Sequence, residues 1–197
     1  MGHKKSNPLF NFSNSPRDLR EGLERADLSL SNQNPTEALR ELLPLNEKYP
    51  HNQDILGLLA FTYQDLQNDS GYLYTMLQLE QLNSNNENYK ISVADAYLQN
   101  GFPALALQKC RKIITRWPNN THASEIHSII QKLELIISDS SSKLGFSLEP
   151  GLDFFSKHEE IQVLMSQGNF KRAKQLAQEL IELQPEFSPA LNNLSKI

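Results

Sequence analysis

The chain has 197 residues, 39% of them apolar and 21% charged, with a formal net charge of −4 from 19 basic and 23 acidic side chains. That composition supports one sizeable core or a short array of small repeated cores, and it lacks the basic surplus of a nucleic-acid binder. The single cysteine, Cys110, excludes an internal disulfide and a thiolate zinc site, and no run approaches the roughly 18 apolar residues of a membrane span.

Residues 1–14 are rich in Asn, Ser and Pro and show no helical period, so they read as a disordered leader. Met1-Gly2-His3-Lys4-Lys5-Ser6 fits the short myristoylation signal, and two lysines would add attraction to anionic lipid; a plain leader or an expression scar explains it as well. No secretory signal opens the chain. A soluble, reducing, cytoplasmic setting is expected, which makes the sequons at Asn11, Asn68, Asn119 and Asn193 chance matches.

Ser15-Pro16 reads as the start of the first helix, a cap followed by proline, with Asp18 placed to meet the helix N-terminus. Asn34-Pro35-Thr36-Glu37 repeats that signal with Glu37 in the capping-box position. Tyr49-Pro50, Trp117-Pro118 and Gln184-Pro185 stop helices, because proline disfavours helical geometry in the residue before it. No stretch alternates apolar and polar residues for long, and Asn100-Gly101 separates two helical patterns as a helix–helix turn.

The stops are periodic. Pro50 and Pro118 lie 68 residues apart, and Pro118 and Pro185 lie 67 apart; Asn83-Ser84-Asn85-Asn86 supplies a break at the midpoint of the first interval. Ala38, Tyr72 and Ala106 are spaced by 34, and Ala173 follows after 67. Leu42 and Leu45, Met76 and Leu79, Cys110 and Ile113, and Ala177 and Leu180 extend each into one apolar helix stripe. On the preceding helices Leu56, Leu59, Ala60 and Tyr63 are echoed by Val93, Ala94 and Tyr97, the last three again 34 residues on. Cys110 sits in such a stripe and reads as a small buried hydrophobe.

These residues resemble the tetratricopeptide repeat (TPR) family, over residues 34–120 and 166–197. The resemblance implies an all-α fold: a right-handed superhelical stack of antiparallel helix pairs, an α-solenoid. Gly168-Asn169-Phe170 with Lys171-Arg172-Ala173 and Pro185, and Pro189-Ala190-Leu191-Asn192-Asn193-Leu194-Ser195, are typical of it. Several positions depart from the pattern. Arg25 replaces the usual Leu, Tyr72 a small residue and Lys90 a large apolar one; the unit beginning at Thr121 has Ser124, His127, Ser128 and Gln131 at its signature positions. Ser138 to Gly151 reads as a break, and Glu160 and Ile161 replace Leu and a small residue after it. The expected organisation is therefore a leader at 1–14, an array over 15–138, a linker at 139–152 and the start of a second array over 153–197, in a fragment of a longer protein.

In a TPR stack the signature residues pack helices together and the first helices line a concave face. By this resemblance that face offers Asp54, Gly57, Phe61 and Gln64, then Asn88, Ile91, Asp95 and Leu98, then His122, Glu125, Ile129 and Lys132. Asp54, Phe61, Gln64, Ile91, Asp95 and Leu98 are the expected partner-binding set. Apolar groups beside carboxylates suit an extended protein or peptide segment carrying Leu or Phe and one or two basic residues. The alternative is that Phe61, Ile91 and Leu98 only pack between helices. The clamp with which some TPR domains grip an acidic C-terminus is absent, since its positions hold Leu23, Asp27, Leu58, Asn88 and Ser92.

No catalytic residues, cofactor or metal ligands are expected. His122 and His127 are five apart and fall on different helix faces. His158-Glu159-Glu160 reads as helix surface, and Lys171, Arg172 and Lys174 as a solvated face. The expected function is a protein–protein interaction scaffold. The alternatives are the non-catalytic front of a larger, enzymatic protein, and self-association through an exposed end helix; neither nucleic acid nor membrane is an expected partner.

Overall fold

A computed structural model describes Phe12 and residues 15–196. The leader read at 1–14, with its Gly2 signal, lies outside the described residues apart from Phe12, which is buried and whose carbonyl accepts a hydrogen bond from Ser15 N–H at 3.0 Å. The described residues form ten α-helices and no strand. They divide into two compact units, residues 1–89 and 90–197.

The first unit contains α1 (Arg17–Ser31), α2 (Pro35–Lys48), α3 (Gln53–Asp65) and α4 (Asp69–Leu82), each packed on the next. α5 (Glu87–Gln99) begins at its end. The second continues with α6 (Pro103–Arg116), α7 (Ala123–Lys143), α8 (Leu148–Ser166), α9 (Phe170–Leu183) and α10 (Ser188–Leu194). Consecutive helices from α6 onward pack as neighbours, and α8 also reaches α6.

The backbone carries the same 34-residue period as the side chains. Gln33, Gln67 and Gly101 all adopt positive φ, at 58°, 53° and 72°, and Gly168 repeats this at 72°. Each ends a helix and turns the chain into the next. Asparagine side chains then cap the new helix, accepting a backbone N–H: Asn34 from Glu37 at 3.2 Å, Asn68 from Gly71 at 2.9 Å, and Asn169 from Arg172 at 3.4 Å. A second capping series, Asn52 and Asn86, starts α3 and α5. Helices end where the X-Pro signals predict, with Tyr49, Trp117 and Gln184 as the residues following α2, α6 and α9; Asn83 follows α4 in the same way.

Many of the repeated apolar positions are core, whereas Leu45 and Tyr63 are half-buried and Ser124, His127, Ser128 and Gln131 are exposed. Leu23, Ala38, Leu42, Leu59 and Leu79 are buried in the first unit. In the second, Ala94, Cys110, Ile113 and Ile126 form one cluster, and Phe154, Ile161, Ala173, Leu176, Ala177 and Leu180 form another. Gly71 is needed where Tyr63 crosses α4, because a Cβ there would meet the ring at 2.6 Å.

Three local expectations need correction. Ser15 does not cap α1; Pro16 precedes the helix and no side chain caps it. Glu37 does not bond back to Asn34 but turns to Arg40. Residues 139–152, expected to be a linker, are the last turn of α7, a turn at 144–147 and the first turn of α8. The serines there do not break the helix, because they bond to it: Ser141 Oγ donates to the Ile137 carbonyl at 2.6 Å and Ser142 Oγ to that of Asp139 at 2.9 Å. Pro150 lies in the first turn of α8, where its missing N–H costs nothing. Gly151 lies within α8 where α7 approaches so closely that an added Cβ would lie 1.8 Å from Ser141 Oγ.

Candidate functional site

In the first unit α3 buries Ile55, Leu56, Leu58, Leu59, Ala60 and Thr62 and leaves Asp54, Phe61 and Gln64 off that core. Asp54 is half-buried in the first turn, its N–H donating to Asn52 Oδ1 at 3.0 Å. Phe61, between buried neighbours, keeps 44% of its surface exposed; Tyr74 and Phe170 on other helices are exposed to a similar degree. Gln64 is exposed. The spacings 54, 61 and 64 put all three on one side of the helix.

In the second unit Ile91, Asp95 and Leu98 share a face of α5 by the same rule. Ile91 is half-buried and packs against the cluster of Ala94, Cys110, Ile113 and Ile126, as does Ile129 of α7. Its packing role is therefore real, whatever else it does. Leu98 is half-buried and Asp95 exposed. The fold brings Asp95 near His122 and Glu125 at the start of α7. Partial shielding from water raises the Asp95 carboxyl above its ordinary range, and the charge of Glu125 adds to this while His122 opposes it. His122 Nδ1 lies 3.8 Å from Glu125 Oε2, an ion pair only when the imidazole is protonated.

Cys110 is buried, and burial pushes its thiol up to about 11, with Asp95 contributing, so at neutral pH it is a protonated hydrophobe. Among the described residues no three His, Cys, Asp or Glu side chains converge on a metal-sized site.

Two features escape the sequence reading. Glu159, taken there as helix surface, is 6% exposed. Its two carboxylate oxygens accept the backbone N–H groups of Ala104 at 3.0 Å and Leu105 at 2.7 Å, capping α6 from α8. Desolvation raises its carboxyl to about 7 even though the two amides pull the other way. Beside it His158 is shifted down by burial. The available signal was the cap series: Asn34 and Asn68 are followed 34 residues on by Phe102, which makes no side-chain cap bond.

The second feature is a concave recess of about 430 Å³ on α6, lined by Lys90, Lys109, Arg111, Lys112, Thr115, Arg116 and Trp117. Its signal lay in α6, which carries four cations and no carboxylate, and in Lys90, which stands where the repeat pattern wants a large apolar residue.

No family model matches this chain, and no curated protein matches it either.

Proposed function

We propose that this chain is a non-enzymatic protein–protein interaction scaffold of the tetratricopeptide type, its helix pairs wound in a right-handed superhelix. The proposed partner is a protein or peptide segment with apolar anchors and basic residues; the proposed contacts are Asp54, Phe61 and Gln64 on α3 of the first unit and, taken by themselves, Ile91, Asp95 and Leu98 on α5 of the second. The observation that supports it best is Phe61: an aromatic ring with 44% of its surface exposed, on a helix whose aliphatic residues Ile55, Leu56, Leu58 and Leu59 are buried. Aromatic anchors flanked by charge are where binding energy concentrates in interfaces, and Asp54 and Asp95 would bias the partner toward positive charge. A cytoplasmic location belongs to the same proposal. Among the described residues no helix is long and apolar enough to cross a membrane.

The test is affinity capture with the wild-type chain and with Phe61→Ala, followed by calorimetry on any protein retained only by the wild type. Loss of about 2 kcal/mol or more on Phe61→Ala is expected for an anchor. Equal retention by a Phe61→Ala/Asp95→Lys chain that keeps its helical spectrum and melting point would remove the proposed surface.

A further inference from the structure

We propose that the outward face of α7 is a self-association surface, on which a second copy of this chain packs antiparallel about a two-fold axis between Leu135 and Ile136. The surface uses one helix of the second unit and does not depend on the reading given to α3 and α5.

α7 packs on α6 and α8. That packing buries Ile126, Leu133, Ile137 and Ser141, and the opposite side of the helix carries Ser128, Lys132, Leu135, Ile136 and Asp139, all exposed. Leu135 keeps 73% of its surface exposed and Ile136 52%; Leu135 is the most exposed large apolar side chain among the described residues. A lone exposed leucine is ordinary for a protein surface. Here two adjacent apolar side chains stand together near the middle of a helix of 21 residues, with a charge on each side of them.

Those charges select the occupant. Lys132 lies three residues before Leu135, and Asp139 lies three after Ile136. Antiparallel copies related through the point between Leu135 and Ile136 set Lys132 of each against Asp139 of the other, twice over, and bring Leu135 onto Ile136 in the centre. Each charge is about 5 Å along the axis from that point, and packed helix axes lie about 8–10 Å apart, within reach of a lysine side chain. A parallel arrangement would set lysine on lysine and aspartate on aspartate, so the charges admit one orientation. Along its own helix Lys132 has Ser128, Ile129, Leu135 and Ile136 at the three- and four-residue spacings, none of them an acid. Asp139 meets Lys143 at 2.6 Å, through an exposed carboxylate that can accept a second donor. A single helix face buries less than the about 800 Å² per partner of a standard interface, so the pair is a weak one, with a Kd on the order of 100 µM.

Sedimentation velocity on the full chain, from about 10 µM to about 1 mM, reads this association. A concentration-dependent dimer is expected with no larger species, because a two-fold contact closes on itself. Leu135→Gln/Ile136→Gln places a good helix former at exposed positions. It should weaken the dimer by about tenfold or more and leave the helical spectrum and melting point unchanged. Lys132→Glu sets acid against acid across the axis and Asp139→Lys sets base against base, so each variant alone should dimerise more weakly than wild type, most clearly at low salt. An equimolar mixture of these two variants regains both opposite-charge pairs in a mixed dimer and should associate about as tightly as wild type. A chain that stays monomeric at every concentration would overturn the proposal and leave the face to a different protein. So would a dimer that Leu135→Gln/Ile136→Gln leaves intact, open-ended growth, or a mixture that associates no better than its separate components.

Discussion

Glu159 and Leu105 lie 54 residues apart in sequence and are joined by a 2.7 Å hydrogen bond from the Leu105 N–H to the Glu159 carboxylate. Together with the Ala104 bond it supplies α6 with the cap that α2 and α4 draw from their own asparagines. A local cap costs little because it comes from the adjoining turn. A distant one ties the start of α6 to α8, so it links helix ending to tertiary packing, and it carries a carboxylate into a desolvated place.

Removing that carboxylate should therefore destabilise the second unit. Glu159→Ala leaves the N–H groups of Ala104 and Leu105 without their acceptors, at a cost of about 2 kcal/mol. Phe102→Asn should recover part of this, because Phe102 has φ −109° and ψ 67°, close to the −116° and 71° of the capping residue Asn34. Urea unfolding followed through Trp117, which lies in this unit, measures both. An unchanged midpoint in Glu159→Ala would mean that the bond contributes nothing.

The same carboxyl should make stability depend on pH. Its value in the fold is raised from 4.5 to about 7, so the folded state binds the proton more tightly than the unfolded state. The contribution is full below about 4.5 and is lost as the pH rises through about 7, by as much as about 3 kcal/mol. His158, shifted down by burial, works in the opposite sense, since its contribution is lost as the pH falls through its lowered value. The comparison to make is wild type against Glu159→Gln, which removes the Glu159 effect and leaves every other titrating group, His158 included, in place. The stability difference in favour of wild type should shrink between pH 4.5 and 7 and stay flat above. A difference independent of pH would show that Glu159 keeps an ordinary value.

Gln33 and Gln67 occupy the left-handed turn position that Gly101 and Gly168 fill later in the chain. A side chain there strains the backbone, whereas glycine does not. Gln67→Gly should raise stability by up to about 1 kcal/mol, the gain being trimmed by the greater freedom of the unfolded chain. Gly101→Ala should lower it by a similar amount. Denaturation monitored by circular dichroism tests the pair; a loss of stability in Gln67→Gly would point to a side-chain contact at that turn.

Gly151→Ala should be among the more damaging small substitutions. The new Cβ would lie 2.4 Å from Ser141 Cβ, a clash that rotating the hydroxyl cannot relieve. Forcing α7 and α8 apart should cost about 1–3 kcal/mol. Ser141→Gly in the same chain removes the obstructing atoms and should restore part of the loss, beyond what either single variant predicts. Additive losses would indicate that the helices are free to slide apart.

By itself the sequence determined the all-helical fold, its 34-residue period, the ends of α2, α6 and α9 and the core identities of residues such as Ala94, Ala106 and Leu42. These are local properties. A stripe of apolar residues, an asparagine before a helix and a proline after one act within a few turns of chain, so they can be read along it. Tertiary structure decided the rest. Ser141 and Ser142 looked like a linker until α7 was seen to accept their hydroxyls; Gly151 looked like a break until Ser141 of α7 was seen to fill the space a Cβ would need. Glu159 looked like helix surface because its neighbours in sequence are polar, whereas its environment is set by α6, more than fifty residues away. The charges of Lys90, Lys109, Lys112 and Arg116 are visible one by one, but whether they disperse into solvent or share a recess depends on the angle at which helices meet. Periodicity fixes which side of a helix is buried; it does not fix what comes to lie across from it.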